Sequence, residues 1–114
     1  MSKIALGTVQ FGIDYGINSK NGQVRPEEVK NILNYAHSKN IDLLDTAPAY
    51  GSSEKVLGEA NVQNFKVVTK TRYFDNTEIS NDDIKLLKKD FSCSMADLRQ
   101  ENFYGVLVHN ASDL

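Results

Sequence analysis

"DLLDTAPAYG", residues 42–51, decides the reading of the chain. An apolar run of strand length ends on a carboxylate, Asp45, and a Pro/Gly-punctuated loop then presents Tyr50. Working outward, "IDLLD" (41–45) is one of four short apolar runs, with "IALGTV" (4–9), "KVVTK" (66–70) and "FYGVLVH" (103–109). Each has strand length, and two are rich in Val, which favours pleated structure. Helical patterns separate them. In "RPEEVKNILNYAHSKN" (25–40) Val29, Ile32, Leu33 and Ala36 fall at i, i+3, i+4 and i+7, one face of a helix. Pro26 suits a first turn, and Glu27 and Glu28 face the positive end of the dipole. A short helix is expected over "SEKVLGEA" (53–60). A third opens at Ser80, with Asp83 completing a variant capping box, and continues through Ile84, Leu87 and Phe91. A break is expected near "SCS" (92–94), before Met95 and Leu98. The order β-α-β-α-β-α-β implies an α/β protein with a parallel sheet and right-handed crossovers. Such strands are covered on both faces and should be apolar nearly throughout.

Polar residues at the strand ends therefore carry information. Asp45, Lys70 and His109 each close a strand, and the carboxyl-end rim is where α/β proteins place their sites. By parity Asp45 shares a face with Leu43, Lys70 with Val68, and His109 with Leu107. These faces are expected to point into a barrel lumen, so that the three polar groups converge there.

The four side chains suit proton donation. A phenol ionises near pH 10, so giving up its proton near neutrality takes roughly 4 kcal/mol of help. One ammonium about 4 Å away supplies about that at an effective dielectric near 20. Lys70 is the candidate ammonium, and Asp45 beside it favours its charged form. His109 as a neutral imidazole can hydrogen-bond a substrate carbonyl and orient it. Taken singly each has a duller explanation: Asp45 as a turn cap, Lys70 as a solvated strand end, His109 as a rim histidine, Tyr50 as a loop aromatic. The four together on one rim favour the site.

Other chemistries find less support. Gly7, Gly12, Gly16 and Gly22 make neither G-x-G-x-x-G nor a Walker loop, and no G-x-S-x-G is present. No metal site is expected, because His37 sits on a predicted helix without a second histidine in place. The chain has 114 residues, 40% apolar and 25% charged, with a net charge of −2, which gives nucleic acid or an anionic membrane no basic surface to bind. Its one cysteine, Cys93, rules out an intrachain disulfide and is read as a small helix residue; a reducing, cytoplasmic location is expected. No apolar run approaches the roughly 20 residues of a membrane helix, and no signal peptide is visible.

"LGTVQFG" (6–12), "LLDTAPAYGSSEKVLGEA" (43–60), "VVTK" (67–70) and "VLVHN" (106–110) together resemble the N-terminal part of the aldo-keto reductase superfamily. Its signature Asp-x-Ala-x-x-Tyr-Gly is matched by Asp45, Ala47, Tyr50 and Gly51, followed by Glu54 and Gly58. The resemblance implies a parallel (β/α)8 TIM-barrel type fold, of which residues 1–114 form the first half, truncated after the fourth strand. It implies reduction of an aldehyde or ketone by hydride from NADPH or NADH, with Asp45, Tyr50, Lys70 and His109 as catalytic residues and Tyr50 as acid. It places Gly7, Thr8 and Asp45 beside the nicotinamide. It makes residues 10–22 a substrate-side rim loop, with Phe11 or Tyr15 as apolar walls. A barrel of this type takes about 250 residues. The half-barrel is therefore expected to expose two sheet edges and to self-associate, and the isolated chain is expected to be inactive. The partner implied is a small carbonyl substrate, with no nucleic acid or membrane. Two alternatives stand beside this: a non-catalytic binding module of the same fold, and a barrel aldolase using Lys70 as Schiff-base amine.

Overall fold

The computed structural model describes residues 3–14, 22–75 and 77–114. Its elements in order are β1 (Leu6–Gly7), α1 (Val9–Gly12), α2 (Pro26–Ser38), β2 (Leu43–Asp45), α3 (Ser53–Ala60), β3 (Lys66–Lys70), α4 (Asn81–Leu98), β4 (Gly105–Leu107) and a 3-10 turn (Ala111–Asp113).

The helix signals act where the sequence places them. Pro26 occupies the first turn of α2, with Glu27 and Glu28 beside it. Ser80 caps α4 reciprocally with Asp83: Asp83 N donates to Ser80 Oγ at 3.1 Å, and Ser80 N donates to Asp83 Oδ2 at 2.9 Å. Past the C-terminal ends of α2, α3 and α4, Asn40, Asn61 and Arg99 take positive φ, and Arg99 adopts the left-handed turn that stops a helix. The break expected at residues 92–94 does not occur, and α4 runs unbroken to Leu98. Ser92 Oγ donates back to Lys88 O at 3.2 Å, and Ser94 reaches across to Glu54, so both hydroxyls are satisfied without ending the helix.

All four strands are parallel, in the order β1-β2-β3-β4. The register pairs Gly7 with Asp45, Asp45 with Val68, and Lys70 with Leu107. Leu44, Val67 and Thr69 point into the helical layer and are buried with Val29, Leu33, Leu57, Val62 and Leu98. Leu43, Asp45, Val68 and Lys70 alternate onto the opposite face and are only half-buried. Strands covered on both faces were expected; among the described residues only one face is covered. β4 is an edge strand, and its Val106 and Leu107, with Val108 just after it, are exposed.

Two expectations at the amino terminus fail. The apolar run 4–9 yields a strand of two residues, and Val9 already belongs to α1. Phe11 is a core residue 4% exposed, not a wall of the substrate rim; Tyr15 lies outside the described residues. Close approach is the cause. A Cβ on Gly12 would stand 1.7 Å from Tyr50 O, and one on Gly51 would stand 2.6 Å from Gly12 O. Only two glycines let α1 close onto the loop that carries Tyr50.

Candidate active site

Asp45 and Lys70 end adjacent strands, and their side chains meet on the uncovered face of the sheet. Lys70 Nζ donates to Asp45 Oδ1 and, at 2.9 Å, to Thr46 O. The lysine side chain is 11% exposed against 43% for the aspartate, so the cation sits deeper and depends on that partner more. Lys70 Nζ also stands over the ring of Tyr50, 4.9 Å from its centroid. Tyr50 meets His109 edge-on, ring centroids 5.8 Å apart at 85°. The four residues expected to form a site are thus joined by a chain of three contacts, and they come from three separate βα segments.

A buried hydroxyl cluster fixes the strand ends below them. Thr8 Oγ1 donates to Asp45 O at 2.9 Å, Ser53 Oγ lies 3.0 Å from both the hydroxyl and the carbonyl of Thr8, and Thr46 Oγ1 is 3.1 Å from Ser53 Oγ. All three side chains are fully buried. Thr8, expected beside a cofactor, therefore turns its hydroxyl into the protein and offers only backbone there. Gly7 is exposed, and a Cβ added to it would meet nothing within 4 Å. Gly7 and its register partner Asp45 thus lie side by side at an open part of the rim.

Deeper still, Glu54 is buried on α3. Its Oε2 accepts from Thr69 and its Oε1 from Ser94, both at 2.8 Å, so one carboxyl ties α3 to β3 and α4. Burial raises its pKa; the two hydroxyls oppose that, and the charges of Asp97 and Asp90 add to it.

His109 has its pKa lowered, chiefly by burial and then by the charge of Lys70, against a smaller opposing effect of Asp45. A neutral imidazole near pH 7 follows, able to donate from one nitrogen and accept at the other. Tyr73 was not among the expected site residues. Its hydroxyl lies 3.0 Å from His109 Nε2, and its ring lies on the imidazole at 4.4 Å and 33°. An aromatic three residues past Lys70 in the same rim loop was the available signal; the contact itself joins residues 36 apart in sequence.

Parallel strands with an acid, an ammonium, a phenol and an imidazole gathered at their carboxyl ends define an α/β half-barrel with a polar cluster on its rim. The model of the Aldo/keto reductase family matches residues 3–110, and the chain belongs to that family. It is similar to a Pseudomonas aeruginosa protein assigned to the aldo-keto reductases, at 29% identity and TM-score 0.73, covering 94% of this chain and 42% of that one. An aldo-keto reductase from Bacillus halodurans in its holo form shares 22% identity at TM-score 0.59, over 90% of this chain and 34% of the other. Aldose reductase from Giardia lamblia shares 20% at TM-score 0.55, over 76% and 30%. The last two likenesses bear on fold alone. No curated protein matches the chain. It spans less than half the length of these relatives, and its four strands correspond to the first half of their (β/α)8 barrel. No helix among the described residues is long and apolar enough to cross a membrane.

Proposed function

We propose that this chain supplies the amino-terminal half, and the proton-donating side, of a reductase that converts an aldehyde or ketone to an alcohol with NADPH or NADH. The observation that carries it is the contact chain Asp45–Lys70–Tyr50–His109 at the ends of three consecutive strands. Asp45 pairs with Lys70, the Lys70 ammonium stands at the Tyr50 ring, and the Tyr50 hydroxyl is the proton donor of this cluster. His109 receives the carbonyl oxygen and aligns it with the Tyr50 hydroxyl. The nicotinamide, when bound, provides the hydride that completes the reduction; Gly7 and Asp45 would hold its near edge.

The uncovered face of the sheet and the exposed apolar residues of β4 support a second half that closes the barrel and brings the remaining cofactor contacts. Lys70 paired with a carboxylate disfavours the aldolase alternative, because a Schiff-base amine needs its free base. Nicotinamide fluorescence during titration of NADPH and NADH tests this reading. Residues 1–114 alone are expected to bind weakly or not at all, and the protein with both halves of the barrel to bind one of the two saturably. Failure of both cofactors to bind the two-half protein would overturn it.

A further inference from the structure

His109 has two ring nitrogens, and only one faces outward. Nδ1 is buried without a hydrogen-bond partner among the described residues. Nε2 lies 3.0 Å from the Tyr73 hydroxyl. A buried N–H left without an acceptor is rarer than a buried lone pair left without a donor, so the proton of the neutral ring is assigned to Nε2, which donates to Tyr73. A carbonyl oxygen seeking a donor on this imidazole has no other nitrogen to approach.

We propose that Tyr73 is a specificity-determining residue of the substrate site: its phenol oxygen holds the position on His109 Nε2 that a substrate carbonyl oxygen takes, so a carbonyl binds by displacing it. This rests on the reductase reading, which names the carbonyl as the partner of His109.

The surrounding contacts suit such an exchange. Thr71 N donates to Leu107 O at 2.9 Å, and His109 N donates to Thr71 Oγ1 at 3.3 Å. Arg72 forks onto Asp90 at 2.5 and 2.7 Å, and Phe74 N donates to Asp113 Oδ2 at 3.2 Å. The backbone is fastened on both sides of Tyr73, while its side chain is 54% exposed. Rotation about the side-chain bonds takes the phenol into water without unfastening the loop. One neutral acceptor replaces another on Nε2, so what a carbonyl must outbid is a single hydrogen bond and a ring stack.

The chain has two histidines, which makes the test direct. With ring-15N-histidine, Tyr73→Phe should move the Nε2 resonance of His109 and leave that of His37, whose ring contacts Phe65 on another part of the fold. N,N-Dimethylacetamide, a carbonyl acceptor with no N–H, should then shift His109 Nε2 at about five-fold lower concentration in Tyr73→Phe than in the wild type, the weight of one neutral hydrogen bond. Tyr73→Leu provides the same freed nitrogen should the Phe variant fold poorly. An Nε2 resonance indifferent to both substitutions overturns the proposal. So does equal sensitivity to the probe in wild type and variants, or no response of His109 in any of them. None of these readouts involves cofactor or turnover. A two-half protein that binds neither cofactor would sink the reductase reading while leaving the resonances as predicted, and the reverse outcome is equally separable.

Discussion

Glu54 offers a test of the packing beneath the site that needs no substrate. Its carboxyl is 5% exposed and accepts two hydroxyl hydrogen bonds. Hydrogen bonds to a charged group contribute about 1.5–3 kcal/mol each, and neutral ones about 0.5–1.5. Neutralising Glu54 thus forgoes roughly 2 kcal/mol over the two bonds. Taking the charge out of water costs several kcal/mol, and the raised pKa says that this cost wins. The sign follows from proton counting. With a folded pKa above 4.5, the native state binds more protons than the unfolded chain between the two values. Stability is therefore greatest below the unfolded pKa and declines as pH rises towards and through the folded one. Glu54→Gln keeps the shape and abolishes that slope. It should cost about 1 kcal/mol at pH 4, and that deficit should shrink as pH rises to 8. Glu54→Leu should be worse at every pH. Ser94 can turn to a carbonyl within its own helix, but Thr69 is stranded in β3, at about 1–3 kcal/mol for the buried hydroxyl. Urea unfolding at fixed m-value, from pH 4 to 8, reads all three. Wild-type and Gln stabilities that stay parallel across the range would refute the reasoning.

Four further expectations are open to measurement. Arg99→Gly should raise stability by about 0.5–1 kcal/mol, because Arg99 holds φ +54° at the end of α4, where a side chain is strained; unchanged or lower stability would speak against it. Gly12→Ala should destabilise by about 1–3 kcal/mol or more, since its Cβ has no room beside Tyr50 O, and a neutral result would mean that α1 does not lie against that loop. The midpoint of His109 in an NMR titration should lie below 6.5, and Lys70→Met should move it upward by removing a repelling charge. A depressed midpoint makes native His109 bind fewer protons than the unfolded chain, so its contribution to stability is complete above 6.5 and fades as pH falls through the folded value. In the two-half protein, Lys70→Met should also lower kcat/KM about 100-fold. A positioned proton-transfer site contributes about 10²–10⁴-fold, and Lys70 touches both Asp45 and the Tyr50 ring within it.

What the sequence disclosed and what it hid divide along physical lines. Asp45 and Lys70 were legible because an acid and an amine at the ends of apolar runs have few other places to go in a parallel sheet. Ser80 and Pro26 were legible because caps are local chemistry. The α1 turn was not: "IALGTV" is apolar throughout, and what ends the strand after Gly7 is tertiary, the bonding of Thr8 to Asp45 and Ser53 together with the near contact of Gly12 and Tyr50. For the same reason Phe11 was assigned to the rim, when it points inward. "SCS" looks like a helix breaker only until Ser94 is seen bonded to a glutamate 40 residues away. Tyr73 escaped because a phenol in a loop announces nothing until the histidine it touches is placed.

The most direct measurement is single-turnover oxidation of NADPH or NADH, whichever binds, by an excess of aldehyde in the two-half protein, comparing wild type with Tyr50→Phe. A positioned general acid contributes about 10²–10⁴-fold. Loss of the reductive step in that range, with cofactor affinity unchanged, is the predicted result. Reduction at the wild-type rate without the Tyr50 hydroxyl would contradict the account.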